Sequence, residues 1–226
     1  MALILCIETT TTNCSVALAK DGDILGLKED MGLNYSHAER LHAYIEEVLL
    51  QAGVKQNELD AIAVSKGPGS YTGLRIGVSS AKGLCFALNI PLISTNTLEA
   101  LALQVKGEAI QNIIPVLDAR RMEVYSAVYN ANHQQIRAIK AEIIDENSFS
   151  EYLSEDNVYF VGDGAEKCKE IIKSKNAVFI DATFPSAKEM AMLSYDKYKI
   201  SDIEDVAYFE PFYLKDFVVT LQKKKV

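Results

Sequence analysis

The sequence predicts an α/β protein built from two copies of one lobe. Short apolar runs alternate with segments of helical periodicity along the chain. The order of these signals in the first half, a three-strand antiparallel meander followed by alternating helix and strand, recurs in the second. An acidic residue closes the opening strand of each half, Glu8 and then Asp118, 110 residues apart. A length of 226 residues accommodates two such units with little left for linkers.

Residues 3–7 are an apolar run suited to a buried strand, and residues 9–13 are a polar turn. Residues 14–19 form a second strand with Val16 and Leu18 on one face. Asp21-Gly22 is a hairpin signal, and residues 24–28 return as a third strand. Leu41, Tyr44, Ile45, Val48 and Leu49 fall at i, i+3, i+4, i+7 and i+8, marking a helix that Gly53 stops. Residues 59–65 read as a strand entering a glycine loop, 72–88 as a helix and 91–94 as a short strand. Thr97 is expected to cap a helix reaching about residue 105.

In the second half, residues 112–117 form a strand ending in Asp118, residues 123–129 a second, and residues 135–143 a third after a turn at 130–132. A short helix at 148–153, a strand at 158–161 running into Gly162-Asp163-Gly164, a helix at 165–173, a strand at 177–180 and a last helix at 186–198 complete the copy. The chain therefore divides into residues 1–108, residues 109–218 and a basic tail, 219–226. An acid at the end of strand one in each lobe is how the actin-like ATPase and sugar-kinase fold frames a nucleotide cleft. The residues placed to line a vestige of such a cleft are Glu8, Thr9, Thr10, Gly67, Gly69, Asp118 and Arg120.

Composition excludes several classes. With 49% hydrophobic and 24% charged residues, the chain is not disordered, collagen-like or a coiled coil. Its 31 acidic and 23 basic residues give a net charge of −8, which disfavours gripping nucleic acid unaided. Cys6, Cys14, Cys85 and Cys168 form no Cys-x-x-Cys pair and read as free thiols in a reducing cytosol. The apolar opening is too short for a membrane span and lacks a basic leader, so the expectation is a soluble cytoplasmic protein. Lys223, Lys224 and Lys225 read as a solubilising tail.

Residues 65–88 are the most informative stretch. Gly67-Pro68-Gly69 follows a strand and precedes a helix, an arrangement that suits either an anion on free backbone N–H groups or a tight turn. It is neither a Walker A loop nor a dinucleotide fingerprint. Gly69, Gly73, Gly77, Ala81 and Cys85 recur every four residues and make a smooth stripe, either against the chain's own sheet or against a partner. His37 and His42 are five apart and do not share a helix face, so no metal site is expected. Ser70 is not in a nucleophile elbow. Arg120 and Arg121 could bind phosphate or pair with Asp118 and Glu123.

Several runs carry a family resemblance: residues 4–18, the helix start His37-Ala38-Glu39-Arg40-Leu41, GPGSYTGLRIGVSSAKGL at 67–84, IPVLDARRMEVYSAVY at 114–129, Gly162-Asp163-Gly164, and residues 211–215. In this order they cover most of the chain and resemble the TsaB (YeaZ) family of tRNA threonylcarbamoyladenosine synthesis. Glu8 stands where Asp is common, Tyr71 where Phe is usual, and Met122 where Gly is common. The resemblance implies a two-lobed actin-like ATPase (ASKHA, ribonuclease-H-like) fold related to the catalytic subunit TsaD. It implies a non-catalytic partner that binds and activates TsaD, with no cofactor or metal of its own, since ATP and metal belong to the partner subunits. It further implies a homodimer when TsaD is absent, TsaE as an additional partner, tRNA met only through the complex, and no membrane contact. The implied partner surface is Leu41, Tyr44, Ile45 and Val48 on one helix and Tyr71, Gly73, Leu74, Gly77, Val78 and Ala81 on the next. The competing expectation is a nucleotide-dependent enzyme of glycoprotease or kinase type, acting alone through Glu8 and Asp118.

Overall fold

The computed structural model describes residues 1–31, 37–107, 110–154 and 156–215. The basic tail expected at 219–226, with Lys223, Lys224 and Lys225, lies outside the described residues.

Two five-stranded sheets have the same topology. The first contains β1 (Leu3–Glu8), β2 (Asn13–Lys20), β3 (Asp23–Met31), β4 (Ala61–Ser65) and β5 (Leu92–Thr95) in the order β3-β2-β1-β4-β5. The second contains β6 (Asn112–Asp118), β7 (Glu123–Asn130), β8 (Gln135–Ile143), β9 (Val158–Val161) and β10 (Ala177–Ile180) in the order β8-β7-β6-β9-β10. In each, three strands joined by short turns are antiparallel, and two further strands join the other flank in parallel. Helices α1 (His37–Ala52), α2 (Tyr71–Leu88) and α3 (Thr97–Ala102) belong to the first run, and α4 (Ser150–Leu153), α5 (Ala165–Ile171) and α6 (Ala187–Lys199) to the second. The duplication read from the sequence is therefore present element by element.

The central strands are apolar throughout because both of their faces are covered. Leu5 and Ile7 of β1 pack with Leu41, Ile45 and Val48 of α1 and Val78, Ala81 and Cys85 of α2. Ile4 and Cys6 point the other way, toward Ala187 and Met190 of α6. In the second sheet, Ile114 and Val116 face Phe149, Leu153 and Cys168, while Ile113 and Leu117 face α3. Helix α3 is shared between the sheets. Its Ala100 belongs to the first core, and Leu98, Leu101 and Ala102 belong to the second. The cap of α3 is Asn96 rather than Thr97, because its Oδ1 accepts from the Leu98 and Glu99 amides at 2.9 and 3.3 Å, and the helix ends at Ala102.

Helix α6 lies in the second half of the sequence but covers the first sheet. Ser186 caps it, accepting from the Lys188 amide, and the same hydroxyl donates to Glu29 Oε2 at 2.7 Å. Ser15 Oγ accepts from the Ala187 amide at 3.0 Å, so the helix entry is bolted to β2 and β3.

The stripe of small residues on α2 faces inward. A Cβ on Gly73 would collide with the Thr9 carbonyl oxygen, and one on Gly77 with Thr9 Oγ1. Gly69 meets Thr10 in the same way. Of the two readings of this stripe, packing on the chain's own sheet is therefore the one observed. Gly83 is different, with nothing within 4 Å of the position its Cβ would take.

These contacts give opposite expectations for two glycines of one helix. Gly77→Arg should unfold the protein, because the colliding atom belongs to a fixed turn. Gly83→Ala should raise stability by about 1 kcal/mol, the helix-propensity difference at an unencumbered interior position. Urea denaturation of both variants reads each effect.

Candidate functional site

The residues expected to line a nucleotide cleft fall into two separate clusters. Glu8, Thr9 and Thr10 are buried at 0, 2 and 2% exposure beneath the first turns of α2. Glu8 Oε1 accepts from the Thr10 amide at 2.6 Å and from the Thr10 hydroxyl at 2.5 Å, closing its own turn. Among the described residues its buried Oε2 has no partner within hydrogen-bonding geometry. Burial raises the Glu8 pKa, and the surrounding Thr10, Ser65 and Thr9 groups only partly oppose this.

The glycine loop is bound on both sides by its own chain. The Ser70 amide donates to the Thr10 carbonyl at 2.7 Å, and the Gly73 amide donates to the Ser70 side chain at 3.3 Å, which caps α2. Gly67, at φ +111°, has its carbonyl engaged by the Thr97 amide at 3.1 Å. A tight turn is thus the reading that the hydrogen bonds support, and two of the loop's N–H donors are already used.

Asp118 sits differently from its counterpart Glu8. Its carboxylate is exposed, pairs with Lys167 at 2.7 Å and accepts from the Arg120 amide at 2.6 Å. The Asp118 amide donates to Asp163 Oδ1 at 2.9 Å. Burial pushes Asp163 up to about 6. Among the described residues Arg120 and Arg121 do not pair with Asp118 or Glu123, since Lys167 takes Asp118 and Lys215 takes Glu123. The thiols have no catalytic poise: burial pushes Cys6, Cys85 and Cys168 up to about 12 and Cys14 to about 11.

A C-terminal strap, residues 203–215, joins the two clusters. The Glu204 amide donates to the Leu92 carbonyl at 2.8 Å, at the edge of the first sheet. Lys82 of α2 donates to the carbonyls of Ala207 and Phe209 at 3.1 and 2.9 Å. The Phe212 amide donates to the Lys66 carbonyl at 2.8 Å, above the glycine loop. Lys215 then reaches the second sheet, where it pairs with Glu123 and donates to the Ala119 carbonyl at 3.4 Å.

The structure places most of the partner surface expected from the sequence inside the fold. Leu41, Ile45 and Val48 are 0, 2 and 0% exposed because they are the core stripe of α1, and Tyr44 is half-buried against the same core. Gly73, Leu74, Gly77, Val78 and Ala81 are buried on the inner face of α2, and Tyr71 is partly buried beneath the strap. The outer faces of these helices carry other residues. Leu50 is 78% exposed and Phe86 84% exposed. His42 Nε2 and Ser80 Oγ meet at 3.3 Å where the helices adjoin. Leu50 and Phe86 follow that contact by eight and six residues, so they stand at similar heights on neighbouring helices. Both are large apolar residues outside their helix's buried stripe, which is the sequence signal that could have found them.

Residues 33–223 match the family model described as TsaD, tRNA N6-adenosine threonylcarbamoyltransferase. A relative from Haemophilus influenzae, named tRNA threonylcarbamoyladenosine biosynthesis protein TsaB, is 31% identical over 230 residues, covering 95% of this chain and 94% of its own length. The solved structure of YeaZ from Pseudomonas aeruginosa superposes with a TM-score of 0.78 at 26% identity, over 95% of this chain and 100% of that one. The activator of 2-hydroxyisocaproyl-CoA dehydratase from Clostridium difficile, solved with bound ADPNP, reaches a TM-score of 0.50 at 12% identity over 88% of this chain and 97% of that one, which speaks to fold alone.

The topology defines a duplicated α/β protein with the actin-like ATPase fold. Within that class, the chain belongs to the TsaB (YeaZ) family.

The buried Glu8 makes a pH prediction. A carboxyl whose folded pKa is raised stabilises the fold below its unfolded pKa, and that contribution is lost as pH rises through the folded value. Glu8→Gln should therefore be more stable than the parent at neutral pH, with the difference shrinking toward about pH 4. Urea midpoints measured across that range test it.

Proposed function

We propose that this chain is a non-catalytic subunit in tRNA threonylcarbamoyladenosine biosynthesis that binds and activates a TsaD-type catalytic subunit through the outer faces of α1 and α2. The observation that carries this reading is the pair of large apolar side chains, Leu50 and Phe86, held outward at similar heights on adjacent helices. An aromatic side chain exposed to this extent is the kind of residue that anchors a protein interface, so Phe86 is the expected anchor. Gly83, one turn before Phe86, leaves open surface on which a second helix could approach closely. The names of the relatives supply the pathway.

A supporting role rather than catalysis fits the internal chemistry. Glu8 is sealed under α2, Asp118 is neutralised by Lys167, and the thiols are held protonated. The same helix faces would serve a two-fold homodimer when the catalytic subunit is absent. Among the described residues no helix is long and apolar enough to cross a membrane, and the four buried free cysteines suit a reducing cytoplasm.

Phe86→Asp, alone or with Leu50→Asp, should weaken binding to the catalytic subunit by at least about 30-fold, the loss typical of a central anchor, and lower threonylcarbamoyl transfer in parallel. The variant should keep the parental urea midpoint. Ile143→Asp, at another exposed apolar position on β8, should leave binding unchanged. Calorimetric titration reads all three; parental affinity in a folded Phe86→Asp protein would sink the reading.

A further inference from the structure

The chain has five arginines. Arg40 pairs with Asp30, and Arg137 pairs with Glu142. The other three, Arg75, Arg120 and Arg121, have no carboxylate partner among the described residues, and all are exposed. They flank one feature, the last stretch of the strap. The Arg75 guanidinium lies 4.4 Å from the centre of the Tyr71 ring, and Tyr71 lies 5.0 Å from Tyr213. Two residues on, Lys215 sits 5.7 Å from the Tyr125 ring and bonds to the hairpin that carries Arg120 and Arg121. Those two arginines both adopt left-handed backbone, at φ 68° and 51°, where bulky side chains are disfavoured. A cavity of about 240 Å³ opens beside the row, between Arg75, Lys82, Phe209 and Tyr213.

We propose that this seam between the two sheets is a binding platform for single-stranded RNA. The three arginines meet phosphates, the exposed Tyr213 ring offers a stacking face, and the cavity beside Arg75 admits one unstacked base. Cations interleaved with aromatic rings are the chemistry that holds an unpaired polynucleotide, with charge tracking the backbone and rings taking the bases. A protein partner is the competing occupant, and the large apolar residues that the last stretch of the strap exposes, Phe212 and Tyr213, are rings rather than aliphatic chains. An acidic peptide would gain charge contacts alone, with no base to stack on an aromatic ring. The choice of RNA rests on the pathway reading above, and it assigns RNA contact to this chain as well as to its partner. With a net charge of −8, binding by the isolated chain is expected to be weak and to need low salt.

The test is fluorescence anisotropy of a labelled tRNA anticodon stem–loop with the full chain, over a salt series. The parent should bind at low salt. The triple variant Arg75→Ala, Arg120→Ala, Arg121→Ala should bind at least ~10-fold more weakly, with its slope of log affinity against log salt reduced by about 2, the loss expected for three phosphate contacts. Tyr213→Ala should weaken binding about ten-fold while Tyr213→Phe retains it. A polyglutamate peptide of equal charge should bind far more weakly than the RNA. Phe86→Asp should bind RNA as the parent does, which separates failure of this proposal from failure of the partner interface. No binding by the parent at low salt, or parental affinity and slope in the folded triple variant, overturns the proposal. Loss of the catalytic subunit with RNA affinity kept would assign the seam to a protein and overturn it equally.

Discussion

Helix α2 approaches the turn between β1 and β2 so closely that a side chain on Gly73 or Gly77 would collide with the turn. Glycine at positions 69, 73 and 77 lets the helix backbone rest on Thr9 and Thr10, with the Thr9 hydroxyl donating to the Gly73 carbonyl at 2.8 Å. Much else follows from that contact. It seals Glu8 where an actin-like fold would present an acid to a nucleotide. It engages the Ser70 amide of the glycine loop with the Thr10 carbonyl. It also fixes which side of α2 looks outward, and hence where Arg75, Gly83 and Phe86 stand.

The two repeats have diverged around this constraint. The first keeps a 16-residue α1 and an 18-residue α2, whereas their counterparts α4 and α5 have 4 and 7 residues. The glycine turns nevertheless correspond. Gly162 and Gly164 approach the Val116 carbonyl after β9 as Gly67 and Gly69 approach their neighbours after β4. The second repeat thus retains the turn but not the long helix behind it. Its acid, Asp118, stays in solvent and is held by Lys167, an ion pair of modest worth at such exposure.

The alternation of strand and helix and the repeat were legible because they rest on local periodicity, and most elements end within two residues of their sequence limits. The candidate site was much less legible. A helix stripe of Leu41, Ile45 and Val48 signals burial but does not say what does the burying. Glycine spacing on α2 likewise signals close approach without naming the surface approached. That choice is made by Thr9, more than sixty positions away from Gly77 in sequence. Of the strap, only the family-like run at 211–215 stood out in the sequence, and its course did not. Residues 203–215 have no regular period, and their hold on Leu92, Lys66 and Ala119 is made by individual backbone and lysine bonds.

The return of α6 to the first sheet has a consequence for synthesis. Proteins are made from the N-terminus, and a domain commonly folds as soon as its residues emerge. Here the first sheet cannot be completed that way. Ile4, Cys6, Ala17 and Ala63 are covered by Ala187 and Met190, which leave the ribosome only after both sheets have been made. The first half of the chain must wait with one apolar face bare, a window in which a chaperone has something to hold.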